Sequence, residues 1–160
     1  MIIRDYESKD FDEISKWCRD EKIHALWCAY KFDYPLNQNN FETMLEKLGE
    51  AKVVCLEDGQ IVGFFCYDHH EEDQIGMLKF VILSSRHRGM GYGSKMIDAA
   101  LSYAKEEKLA LGVKLNVFDI NSTAIGCYTK HGFIKMQETP EAFVFQNEKW
   151  GRISMINNNL

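Results

Sequence analysis

Proline is nearly missing from this chain, with only two, Pro35 and Pro140, in 160 residues. No proline-rich linker divides it, and its length and 46% hydrophobic content fit one compact domain spanning 1–160. Long hydrophobic runs are also missing, which excludes a membrane-spanning helix. Met1-Ile2-Ile3-Arg4 reads as the start of a strand rather than a signal peptide. Paired cysteines are lacking too. The five, at 18, 28, 55, 66 and 127, form no CxxC and leave an odd number, as expected of reduced, buried thiols in a cytoplasmic protein. The five histidines lack metal-ligand spacing, and His69-His70 beside Glu71-Glu72-Asp73 reads as a solvated turn, so no metal is expected. Positive charge is in deficit: a net charge of −5 argues against nucleic acid and favours a cationic substrate. There is no repeat, and Asn157-Asn158-Asn159 reads as a frayed tail.

What is present alternates between strand and helix patterns. Ile2 to Tyr6 reads as a strand, and Asp10-x-x-Glu13 as the opening of a helix to about Arg19. Residues 21–34 are aromatic and irregular. Asn40 is placed to cap a helix from Phe41 to Leu48. Val53 to Glu57 and Ile61 to Tyr67, joined at Asp58-Gly59, read as a hairpin, followed by a charged loop at 68–74. Ile75 to Leu83 forms a long central strand. The helix from Tyr92 to Lys108 buries Met96, Ile97, Ala100, Leu101 and Ala104 at helical spacing. Val113, Leu115 and Val117 alternate on a further strand, a short helix spans 121–131, and closing strands lie near 133–138 and 149–156.

The richest stretch is Val-Ile-Leu-Ser-Ser-Arg-His-Arg-Gly-Met-Gly-Tyr-Gly-Ser, residues 81–94. An apolar strand enters a turn with glycine at 89, 91 and 93, and a helix follows at once. Glycine permits positive φ and close backbone approach, so successive N–H groups can face one concavity. The helix adds its own unpaired N–H groups and the positive end of its dipole, a combination suited to a pyrophosphate. Arg86 and Arg88 add charge beside it. A dinucleotide fingerprint fails because Gly89 and Gly91 put Ser94 in the third glycine slot. A P-loop fails because Gly93-Ser94-Lys95 breaks its spacing. Glycines also make ordinary tight turns, so the loop alone leaves that alternative open.

A second motif follows some 30 residues later: Asn116-Val-Phe-Asp-Ile-Asn121-Ser-Thr-Ala124, then Tyr128, ending in Gly132-Phe133. Asn121 and Tyr128 are seven apart, which at about 100° per residue returns to nearly the same helix face. Together, Arg88-Gly89-Met90-Gly91-Tyr92-Gly93 and this segment resemble the two signature regions of the GNAT N-acetyltransferase superfamily. The resemblance implies an α/β (α+β) fold with a mixed, largely antiparallel, splayed sheet of about six to seven strands and about four helices. It implies acetyl-CoA as cosubstrate and an acetyl-CoA-dependent N-acetyltransferase acting on a primary amine of a small molecule or peptide. Main chain at Val81, Ile82 and Leu83 would serve the pantetheine arm and the thioester oxygen. Arg88, Gly89, Met90, Gly91, Tyr92, Gly93 and Ser94 would hold the pyrophosphate, with Asn121 a further cofactor contact. Tyr128 matches the general acid for the departing thiolate.

The general base stays open. Histone-type relatives carry a glutamate on the central strand where this chain has Met77, leaving Asp73, Glu72, His24, Asn116 through a water, or a relay through backbone and water. The acceptor is expected among His24, Trp27 and Tyr30, with Phe32, Tyr34, Phe143 and Trp150 nearby, where aromatics can hold a cation. The partner is an amine, with no nucleic acid or membrane and with a homodimer compatible. Other readings are a non-catalytic acyl-CoA sensor, a nucleotide-binding domain, or a partner-binding module on the same scaffold.

Overall fold

The computed structural model describes residues 1–160. Seven strands form one sheet in the order β1-β2-β3-β4-β5-β7-β6. They are β1 (Ile2–Asp5), β2 (Glu50–Cys55), β3 (Ile61–His70), β4 (Ile75–Leu83), β5 (Gly112–Phe118), β6 (Ile134–Phe145) and β7 (Glu148–Asn157). Every neighbouring pair is antiparallel except β4 and β5. Helices cover both faces. On one side α4 (Tyr92–Glu106) and α5 (Ser122–Lys130) bury Met96, Ile97, Ala100, Ala104 and Tyr128 against Phe65, Leu78 and Leu115. On the other, α1 (Phe11–Ile14), α2 (Glu21–Cys28) and α3 (Gln38–Leu45) bury Phe11, Trp27 and Phe41 against Val53, Phe64 and Ile82.

The feature that positions the site is the failure of β4 and β5 to stay paired. Their parallel ladder joins Ile75–Leu78 to Gly112–Leu115 and stops there. Both strands continue, β4 to Leu83 and β5 to Phe118, with a gap between them. The cause lies at Phe80. Phe64 pairs with Ile82 but Cys66 with Lys79, so β4 carries one residue more than β3 across this interval. Phe80 takes φ 52°, in the left-handed region that non-glycine residues avoid. Such a bulge bends its strand and raises the local twist, here turning the end of β4 away from β5. The Trp27 indole N–H donates to the Phe80 carbonyl at 2.7 Å, satisfying an oxygen that the bulge removes from the ladder.

Several sequence expectations are corrected. Residues 21–34 are not irregular throughout: α2 forms over 21–28, capped by Asp20, whose carboxylate accepts from the Ile23 N–H at 3.1 Å. The single helix expected after Asp10 is instead a 3-10 turn at Ser8–Asp10, the one-turn α1, and a second 3-10 turn at Ser15–Cys18. Asn37, not Asn40, caps α3, accepting from the Asn40 N–H at 3.0 Å, so that helix begins three residues early. Strand β3 runs on to His70, which shortens the expected loop, and Phe143 to Phe145 belong to the long β6. Asn157 is no frayed tail. It is buried at the end of β7, and its amide donates to the His131 carbonyl at 2.8 Å.

Candidate active site

A 3-10 turn at Ser85–His87 carries the chain from β4 into the glycine loop. Gly89 and Gly91 take φ 72° and 80°, and a Cβ on either would meet nothing within 4 Å. The space before the loop is therefore open, and a side chain there would fill it. Gly91 is the N-cap of α4 and offers no side chain to the helix end. The first helical bond is from Lys95 N–H to the Gly91 carbonyl at 3.3 Å, so the N–H groups of residues 92–94 face outward without intrahelical acceptors. An open concavity lined by donors at the positive end of a 15-residue helix fits a pyrophosphate.

Arg88 does more than supply charge. Its Nε–H donates to the Leu83 carbonyl at 3.2 Å and Nη2 to the Trp17 carbonyl at 3.1 Å, clasping the loop to the end of β4 and to the segment after α1. Burial lowers its pKa from the usual value, yet guanidinium stays charged at any working pH.

A cavity of about 520 Å³ opens in front of the loop. Val81, Ile82, Leu83, Arg88, Gly89, Gly91, Gly93, Ser94, Asn121 and Tyr128 all line it, so residues from both sequence motifs meet across the gap between β4 and β5. Two expected members stand apart. Met90 is 63% exposed at the loop tip, and Tyr92 packs edge-on against His87 with ring centroids 5.0 Å apart. Asn121 both lines the cavity and caps α5, accepting from the Ala124 N–H at 3.3 Å. Tyr128 is buried, its ring edge-on to Phe133 at 5.7 Å, and desolvation pushes its phenol well above the ordinary tyrosine range. Cys127 also lines the cavity, but burial raises its thiol pKa, which disfavours the thiolate a covalent route would need.

A second cavity of about 260 Å³ lies on the α2 side of the bulge. Leu26 and Trp27 line both cavities and form the wall they share. Of the residues expected to meet an acceptor, Trp27 and Phe143 are here. His24 is not. It is fully buried, with Nε2 against the Phe32 carbonyl at 2.9 Å, and packs beside Tyr34. Tyr30 is 41% exposed, donates to Glu21 at 2.9 Å and stacks on Phe143 from outside. Phe32 and Trp150 are core residues. A larger, open depression of about 840 Å³ between β1 and α4 collects charged surface residues and none of the groups from either motif.

The candidate bases separate in the same way. Asp73 lies in the β3–β4 turn, where its carboxylate accepts from the Ile75 N–H at 3.1 Å. From Ile75 to the bulge at Phe80 is about 16 Å of strand, so neither Asp73 nor Glu72 reaches the gap. Burial withdraws His24. Asn116 does line the smaller cavity, beside Met77, and accepts from the Ser154 hydroxyl at 2.7 Å. Neither cavity has an aspartate or glutamate in its lining. Sequence reasoning passed over Phe80, Lys31, Lys79 and Arg152. All four line the smaller cavity, and only the alternation of Lys79 with Met77 on β4 hinted at a shared face.

Known proteins agree with this architecture. The sequence profile of the Acetyltransferase (GNAT) family matches residues 11–133. A spermine/spermidine N(1)-acetyltransferase of Bacillus subtilis (strain 168) is 29% identical over 105 residues, covering 52% of this chain and 69% of that protein. The spermidine N-acetyltransferase of Vibrio cholerae, solved in complex with CoA and spermine, superposes with a TM-score of 0.82 at 19% identity, covering 97% of this chain and 93% of that one. A ribosomal-protein-alanine N-acetyltransferase from Brucella melitensis superposes with a TM-score of 0.77 at 20% identity, covering 99% of each chain.

Proposed function

The chain belongs to the GNAT acetyltransferase family and is an N-acetyltransferase, and on that premise we propose that it transfers an acetyl group from acetyl-CoA to a primary amine at the gap between β4 and β5. One observation carries this reading: two cavities meet at that gap, the larger with an open glycine loop and the smaller lined by apolar side chains and three basic ones, with Trp27 as part of their common wall. Acetyl-CoA, when bound, supplies the activated thioester. The N–H groups at the start of α4 and the glycine loop hold the phosphates. Beyond Leu78 the edge of β4 turned toward β5 has no strand partner. The main-chain groups within Val81, Ile82 and Leu83 that point to that edge are therefore free to bond the pantetheine arm and the thioester oxygen, apart from the Leu83 carbonyl, which accepts from Arg88.

Tyr128 hydrogen-bonds the departing sulfur. A thiol titrates near 8.5, well below a buried tyrosine, so complete proton transfer from the phenol is uphill. Its contribution is a hydrogen bond that strengthens as negative charge gathers on sulfur. The acceptor amine must shed a proton before attack. With no carboxylate lining either cavity, that proton leaves through water and main-chain carbonyls near Asn116.

The test is release of free thiol from acetyl-CoA across a panel of primary amines, with the acetylated product identified by mass. Amine-dependent release with an N-acetyl product is the expected result. CoA binding without turnover of any amine would leave a sensor in place of an enzyme.

A further inference from the structure

The smaller cavity is charged in one sense only. Lys31, Lys79 and Arg152 are its only ionisable lining residues apart from Cys28, and every other lining side chain except Asn116 is apolar. The three cations come from three separate places: the turn after α2, the bulged end of β4, and β7 opposite Phe118. Of these only Lys79 is committed to a partner, Asp68 on the neighbouring strand. Lys31 and Arg152 have no carboxylate within ion-pair distance. This concentration stands out in a chain whose net charge is −5.

From this lining, and resting on the acetyl-transfer reading above, we propose that the acceptor is a small amino acid: a primary amine with an apolar body and a carboxylate held by Arg152 and Lys31. The amine reaches the β4–β5 gap past Trp27, and the apolar body lies among Leu26, Phe118 and Phe143. Guanidinium pairs a carboxylate through two parallel N–H···O bonds, and a second cation strengthens the same anchor. A cavity of about 260 Å³ is small for a substrate site, which suits an acceptor of a dozen or so heavy atoms. A polyamine would bring a second ammonium against the two unpaired cations, Lys31 and Arg152, and like charges at close range cost affinity. The reacting end is still an ammonium that must lose its proton; the added element is the anion at the far end.

Steady-state thiol release tests this with matched acceptors: L-leucine, L-leucinamide, isopentylamine, phosphoethanolamine and spermidine. Leucine is expected to exceed leucinamide and isopentylamine in kcat/KM by about tenfold or more, the scale of a lost charge-assisted hydrogen bond, with spermidine below it. In Arg152→Ala the leucine-to-leucinamide ratio should fall about tenfold, chiefly through the KM of leucine, and Arg152→Lys should restore part of it. Leucinamide or spermidine turned over as well as leucine would overturn the proposal, as would a ratio unmoved in both Arg152→Ala and Lys31→Ala. Phosphoethanolamine preferred over leucine would overturn the carboxylate in favour of a phosphate. If no amine releases thiol while CoA still binds, acetyl transfer itself fails and this proposal with it. If amines react without a carboxylate preference, only this proposal fails.

Discussion

Tyr128 lines the larger of the two cavities from α5, and its burial sets what it can do. Desolvation raises the folded phenol above its ordinary value near 10, so it stays protonated through the working range. The pH profile of kcat should then show no alkaline loss from this residue below about pH 10. Tyr128→Phe keeps the edge-on packing with Phe133 and removes only the hydroxyl. Single-turnover acetylation should fall about 100-fold, with CoA affinity unchanged. A wild-type rate in this variant would reduce Tyr128 to packing. Arg88 has two duties that a pair of measurements separates. Arg88→Ala should weaken CoA by roughly 1–3 kcal/mol in calorimetry. It should also lower the melting temperature of the free protein, because two carbonyls, of Leu83 and Trp17, lose their donor. An unchanged melting temperature would leave charge as its only role.

Among the elements, those that bury a regular stripe were legible and those shaped by distant contacts were not. Helix α4 declares itself through Met96, Ile97, Ala100 and Ala104, all buried. Helix α2 was hidden because aromatics at 27, 30, 32 and 34 blur its period, although Asp20 carried the cap signal. Three asparagines at 37, 39 and 40 each suit a cap, and only tertiary packing selects the first. The bulge at Phe80 has no sequence signature at all, since a left-handed phenylalanine is imposed by the strands and by Trp27 around it. Thus both motifs that line the larger cavity could be read in advance, as could Trp27 and Phe143 of the smaller one, while its Lys31, Lys79 and Arg152 could not.

The glycines of the two site helices give opposite expectations. Gly91→Ala, at φ 80°, should cost about 1–2 kcal/mol of stability and put a methyl group where phosphate approaches, weakening CoA. Gly126 lies exposed inside α5 with ordinary helical φ and open space around it, so Gly126→Ala should stabilise by about 0.5–1 kcal/mol. Denaturant unfolding of both variants checks the pair; a destabilised Gly126→Ala would contradict the α5 assignment.

Across the whole molecule, the segment that receives Arg88 is itself tethered to the sheet edge. Arg4 on β1 grips the buried Asp10 with two bonds of 2.8 and 2.9 Å. Burial alone would raise the Asp10 pKa, but the Arg4 bonds and the Glu7 N–H outweigh it, and the folded value is lowered. The sign follows: this stability is present above the unfolded carboxylate value near 3.9 and is lost as pH falls through the lower folded value. Arg4→Leu should cost roughly 3 kcal/mol at neutral pH and flatten the acid limb of the stability profile. Equal losses at pH 7 and pH 2 would rule out the charge pair as the cause.

No helix is long and apolar enough to cross a bilayer. The organisation of the chain centres on the gap that the Phe80 bulge opens between β4 and β5. Amide hydrogen exchange with and without CoA tests that centre directly. Residues 81–83 and 89–94, with the start of α5, should exchange more slowly when CoA is present, while the β3–β4 turn at 71–74 stays unchanged. CoA that binds yet leaves 81–83 and 89–94 exchanging as before would contradict the assignment of this gap as the cofactor site.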